Sequence, residues 1–169
     1  MSPAHDSGRG ELALLLDLID EAYEKAAWHG PNLRGALRGV RAKGAAWRPA
    51  PGRHNIWELA LHAAYWKYAV RRRLTGAGKG QFAVEGSNWF ARPEKSRPNE
   101  KAWRADLAVL AGEHRRLRET VESFPTERLH VREAGSRHTN RRLIYGVAAH
   151  DLYHTGQIQI LKRLGGGRA

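Results

Sequence analysis

The stretch Leu143-Ile144-Tyr145-Gly146-Val147-Ala148-Ala149-His150-Asp151-Leu152-Tyr153-His154-Thr155-Gly156-Gln157-Ile158-Gln159-Ile160-Leu161 keeps one helical period from end to end. Leu143, Val147, His150, His154, Ile158 and Leu161 recur at steps of three and four, which puts them on one stripe of one helix. Two of these core-facing residues are histidines. An imidazole in that position loses its water and needs partners. Two imidazoles one helical turn apart point the same way and can meet a single metal ion. The stretch therefore predicts a buried helix and a candidate metal site together.

The same period recurs upstream. Leu12, Leu15, Leu16, Ile19, Ala22, Tyr23 and Ala26 predict a first helix from Glu11 to about Trp28, closed by Gly30-Pro31. A shorter helical piece runs from Asn32 to about Val40, and turn residues fill Trp47 to Arg53. Asn55, with Glu58 three residues on, is an N-cap pattern that opens a second long helix. It runs to about Leu74 and stops at Thr75-Gly76-Ala77-Gly78. Its inner stripe of Leu59, His62, Ala63, Trp66, Val70 and Leu74 carries a third histidine. Residues 76–99 show no period and form a long connection, with Trp89-Phe90 expected to dock on the helices. Asn99 caps a third helix that includes Trp103, Leu107, Leu110, His114, Leu117 and Val121 and closes at Phe124-Pro125. A loop from Thr126 to about Arg137 leads to the fourth, which starts near Thr139 and ends at Gly165-Gly166-Gly167. No strand alternation of useful length appears. The pattern predicts an all-α four-helix bundle, a single domain over residues 11–165 behind a disordered lead-in at residues 1–10. The long connection between the second and third helices fits a crossover.

A chain of 169 residues is long enough for one core of useful size. No segment approaches the roughly 18 apolar residues of a membrane-spanning helix, and the N-terminus does not read as a signal peptide. The expectation is a cytoplasmic protein with no membrane partner. There is no cysteine, so disulfides, thiolate metal ligands and a cysteine nucleophile are excluded. Any metal must use histidine, carboxylate, carbonyl or water. The net charge is +12, carried mostly by scattered arginine. No helix clusters base-reading side chains, so a sequence-specific nucleic-acid partner is not expected. Arg71-Arg72-Arg73 reads as a solvated helix end that complements the helix dipole.

His62, His150 and His154 each sit on the buried stripe of a long helix, and two helices of a bundle bring three such residues to one point. Three imidazoles leave open positions on zinc, nickel or iron for water and substrate. Gln157, one turn past His154, is placed to hold a water or a substrate group. Glu58, one turn before His62, is placed to accept the second ring N–H of a histidine. His114, on the apolar side of the third helix, is the rival ligand. Asp151 and Tyr153 point about a quarter turn away from the histidine pair. Acid is expected to release the metal below the ordinary histidine range of about 6.5. Trp28, Trp47, Trp57, Trp89 and Trp103 lie beyond the inner stripes and suggest an aromatic surface for a homodimer.

His150-Asp151-Leu152-Tyr153-His154-Thr155-Gly156-Gln157-Ile158 resembles the C-terminal signature of the DinB-like (DNA-damage-inducible protein B) superfamily, which includes the YfiT-type metal hydrolases. Ile56-Trp57-Glu58-Leu59-Ala60-Leu61-His62-Ala63-Ala64-Tyr65-Trp66 resembles its second-helix histidine segment, and together the resemblance covers most of the chain. It implies four helices in up-down-down-up order and a three-histidine site made by His62, His150 and His154. The metal would be zinc or nickel, with iron or manganese as further candidates. The resemblance also implies dimers and a small-molecule substrate. Some relatives look like transferases or isomerases that use a low-molecular-weight thiol, and others like hydrolases. The family name implies no DNA binding. The leading expectation is a metal-dependent enzyme that activates water or a small thiol. The other classes are a non-enzymatic metal- or ligand-binding stress protein and a basic nucleic-acid binder.

Overall fold

The four expected long helices are α1 (Pro3–Tyr23), α4 (Ile56–Thr75), α5 (Glu100–Glu122) and α6 (Asn140–Leu164). Two short helices, α2 (Leu33–Leu37) and α3 (Ala42–Ala45), and a 3-10 turn at Thr126–Arg128 complete the order. The computed structural model describes residues 3–78, 80–93 and 97–165, and among these it contains no strand beyond an isolated bridge between Ala27 and Gly30. α4 packs against α5 and α6, and α1 packs against the same two.

The caps fall where the side chains predict them. Asn55 accepts from the Glu58 N–H at 2.8 Å, and its amide donates to the Arg92 carbonyl at 2.6 Å, so one residue starts α4 and ties down the long connection. Gly76 takes a left-handed φ of 65° and ends α4. Asn99 accepts from the N–H groups of Lys101 and Ala102 and starts α5. α6 opens after Thr139. Of the glycine stop expected for α6, Gly166 and Gly167 lie outside the described residues.

Several boundaries differ from the sequence reading. α1 begins at Pro3, so the segment to Gly10, expected as a disordered lead-in, is helical; Met1 and Ser2 lie outside the described residues. Pro3 suits a first helical turn. Gly8 allows α1 to approach the 3-10 turn, since a Cβ there would meet the Thr126 side chain at 3.0 Å. α1 stops at Tyr23 rather than near Trp28, because the N–H groups of Glu24 and Lys25 both turn back to the Asp20 carbonyl. α3 was not expected, being too short to show a period; its first N–H is held by Glu100 at 2.9 Å.

The apolar interior forms two clusters. One gathers Leu33, Ile56, Trp57, Leu61, Trp103 and Leu110, and the other Ile19, Val70, Leu74, Leu117, Val121 and Ile144. Trp57 and Trp103 are therefore buried and not outer aromatics. The two rings meet between α4 and α5 with their centres 5.2 Å apart, and α3 packs on both helices. Each indole N–H finds an acceptor, Asp106 for Trp57 at 2.7 Å and the Val40 carbonyl for Trp103 at 2.8 Å.

Where the two clusters meet, each long helix contributes one polar residue: Tyr23, Lys67, His114 and Asp151, all buried. Lys67 donates to Asp151 and lies 5.0 Å over the Tyr23 ring. His114 stacks on Tyr23 at 3.9 Å.

Candidate metal centre

α4 brings His62 to α6, and α6 supplies His150 and His154 from consecutive turns, as the stripe spacing requires. The Nε2 atom of His150 lies 3.1 Å from that of His62 and 3.0 Å from that of His154. A metal–imidazole bond is about 2.0–2.1 Å, so two nitrogens on one ion stand roughly 3 Å apart. The three donors lie within 4.8 Å of one another, and they form the one such group of histidine or carboxylate donors among the described residues.

The opposite ring nitrogens explain how the donors are aimed. His62 Nδ1 lies 2.7 Å from the Asn88 carbonyl, and His154 Nδ1 lies 2.6 Å from Gln157 Oε1. Both acceptors require the proton on Nδ1, which leaves the Nε2 lone pairs facing into the cluster. Converging lone pairs at this distance repel unless a proton or cation sits among them, so the donor set fits a metal ion. His150 Nδ1 is buried and has no hydrogen-bond partner. Burial pushes His62 down to about 4, against the Asn88 carbonyl that raises it, and pushes His150 down to about 3 with help from the neighbouring histidines and Lys67. Burial also lowers His154, against its bond to Gln157. The rings are neutral at neutral pH, the form that ligates metal.

Asn88 and Trp89 come from the aperiodic connection. Asn88 has a φ of 63°, a left-handed conformation that Asn tolerates better than most residues. This turns its carbonyl to His62 while its side-chain oxygen accepts from the Trp66 indole at 3.0 Å. Trp89 stacks on His62 at 3.8 Å and on His54 at 3.6 Å. Phe90 docks into the core, as expected. The only sequence signal for Asn88 is its turn-forming neighbourhood, Gly86-Ser87-Asn88, which does not say which histidine it serves.

The other expected roles change. Gln157 holds the far nitrogen of His154 through its side-chain oxygen, which orients a ligand. Glu58 does not reach His62. It is taken by Arg48 through both oxygens, by His54 at 3.1 Å and by the Arg92 N–H at 3.3 Å. Burial raises its carboxyl, but these bonds outweigh burial and hold it below the usual carboxylate range. His114 stands apart from the cluster. Both its nitrogens lack a hydrogen-bond partner, and burial, aided by the Lys67 charge, pushes it down to about 3. The arginine run closes α4 as expected, with Arg73 exposed; Arg71 pairs with Glu113 at 3.4 Å, and Arg72 and Arg73 lie over the Tyr68 and Trp66 rings.

A cavity of about 680 Å³ opens beside the three histidines between α4 and α6. A groove of about 470 Å³, lined by Leu59, Ile160, Leu161 and Leu164, meets it at Trp89, Tyr153 and His154. Among the described residues no helix is long and apolar enough to cross a membrane. The sequence profile of the DinB superfamily matches residues 26–158, a span that contains all three histidines. No curated protein and no solved structure matches.

Proposed function

The chain belongs to the DinB superfamily, and on that footing we propose that it is a metal-dependent enzyme whose centre is His62, His150 and His154. The observation that carries the reading is the convergence of three neutral, inward-aimed Nε2 atoms at 3.0–3.1 Å. Zinc or nickel suits an all-imidazole site best, with iron or manganese as further candidates. Such an ion, held by three neutral ligands with positions open, lowers the pKa of a water or a small thiol that binds there. The reaction is thiol transfer or hydrolysis on a small molecule.

The residues of the chain have distinct tasks in this reading. The Asn88 carbonyl and Gln157 keep two of the rings in the ligating tautomer. Trp89, stacked on His62, walls off one side of the centre. The 680 Å³ cavity is the place for the substrate body. The family's up-down-down-up helix order, a two-fold homodimer and a cytoplasmic location belong to the same reading.

Elemental analysis of the purified protein tests it. About one divalent ion per chain is expected, lost in His150→Ala and His154→Ala. A folded wild-type protein that stays metal-free after incubation with zinc and nickel refutes it. A metal-loaded protein inactive across panels of thiol-transfer and hydrolysis substrates favours a binding protein instead.

A further inference from the structure

The cavity beside the histidines is lopsided in charge. Trp66, Val70, Leu143, Val147 and Tyr153 give it apolar walls, and no aspartate or glutamate lines it. Two arginines do, Arg73 from α4 and Arg142 from α6. Arg73 lies eleven residues past His62 and Arg142 eight before His150, which is about 16 and 12 Å along their helices. The Arg73 guanidinium folds back over the Trp66 ring, which stands 6.3 Å from His62 and 6.0 Å from His150, so the basic end of the cavity lies within about 12 Å of the histidine rings.

Several arginines nearby have carboxylate partners, though Arg72 lies over the Tyr68 ring instead. Arg71 pairs with Glu113, Arg141 with Glu11 at 3.0 Å and Arg128 with Glu133. Neither Arg73 nor Arg142 has one among the described residues; Arg73 lies over the Trp66 ring at 5.9 Å. Arg142 is also badly placed for its own helix. It sits in the first turn of α6, which contains no acid, and a cation there opposes the helix dipole. An adjoining cleft shares Arg73 and Leu143 with the cavity and adds Arg72, its Arg128 being paired with Glu133.

We propose that Arg73 and Arg142 form an anion-binding subsite, and that the ligand of this centre is an elongated, largely apolar small molecule. It carries a metal-binding group at one end and a carboxylate or phosphate no more than about 12 Å away, because the Arg73 guanidinium folds back over the Trp66 ring, itself 6.3 Å from the His62 ring. The proposal rests on the metal-centre reading and adds the ligand class.

The test is calorimetric titration of the zinc-loaded protein with 8-mercaptooctanoate, 8-mercaptooctyl phosphate and the uncharged 8-mercaptooctanamide, in which the thiol is the metal-binding end. At least one anion should bind tenfold or more tightly than the amide, and the tighter of the two identifies the anionic group. The Arg73→Gln/Arg142→Gln double variant should keep its zinc and its melting temperature, lose that preference and bind the amide unchanged. Arg163→Gln, which removes a charge from the other end of α6, should behave as wild type. The proposal is overturned if neither anion outbinds the amide, if the double variant retains the preference, or if Arg163→Gln loses as much. The same titrations on metal-free protein keep the two readings apart. An anion preference that depends on Arg73 and Arg142 without zinc supports the subsite, whereas a wild-type chain that takes up no zinc counts against the metal centre alone.

Discussion

Gln157 holds His154 through a single hydrogen bond, and no other group is bonded to that nitrogen. Gln157→Ala should therefore lower metal affinity roughly 10–100-fold while the fold persists, as loss of an outer partner does elsewhere; a chelator competition assay on the two proteins measures it. The buried rings also set the pH response. With His62 near 4, His150 near 3 and His154 also lowered by burial, loss of metal affinity should set in below the onset of about 6.5 that exposed imidazoles would give; zinc affinity measured from pH 7 to pH 4 checks it. His114 contributes separately. Its folded pKa of about 3 lies below the unfolded value near 6.5, so the unfolded chain takes up the proton first as pH falls. Its share of stability is complete above about 6.5 and drains away between there and about 3. His114→Phe, which can keep the stack on Tyr23, should flatten the fall in melting temperature over that interval; an unchanged slope would clear His114 of any part in it. At this scale the three ligands were legible because each interrupts a regular apolar stripe. Their partners were not. Asn88 lies where no period operates, and Glu58 obeyed its helical spacing yet was captured by Arg48, whose approach depends on the path of a loop.

Among the elements, the tie between α4 and α6 matters most for the centre. Lys67 and Asp151 are both buried, stand next to the ligand-bearing turns and bond across the helix pair. Removing one charge strands the other, so Lys67→Met or Asp151→Leu alone should cost about 3–5 kcal/mol, while the double variant recovers most of it. Urea unfolding of the three variants decides this. A double variant as unstable as the sum of the singles would show that the pair does not act as a unit. Asn55→Ala should cost about 1 kcal/mol for the cap, and more if the bond to the Arg92 carbonyl helps hold the connection that carries Asn88. The long helices and their caps could be read from the sequence because Asn55, Asn99 and Gly76 act on their own backbone. The misplacement of Trp57 and Trp103 has the opposite origin. One period cannot tell an outer face from a second inner one, and the two indoles cover each other between α4 and α5, with ring centres 5.2 Å apart.

For the whole molecule, the outer face of α6 points to assembly. From Leu143 to Leu161 its only charged residue is the buried Asp151, in a chain that is 27% charged. Tyr153 and Ile160 are 65% and 58% exposed on that face. The proposed homodimer should bury it, and Ile160→Lys should convert the dimer to a monomer; light scattering that finds the wild type monomeric at micromolar concentration removes the idea. The division of the ligand set has a different consequence. His62 precedes the long connection after α4, whereas His150 and His154 follow it, 88 residues beyond His62 in the case of His150. A protease cut in that connection would leave one donor on the first fragment and two on the second. The molecule is thus a natural split system, and recovery of metal binding reports fragment complementation. Residues 1–78 and 79–169, produced apart, should each hold the ion weakly and together hold it well, since Asn88 then returns to His62 with the second fragment. A second fragment that keeps full affinity alone would mean that His62 is dispensable.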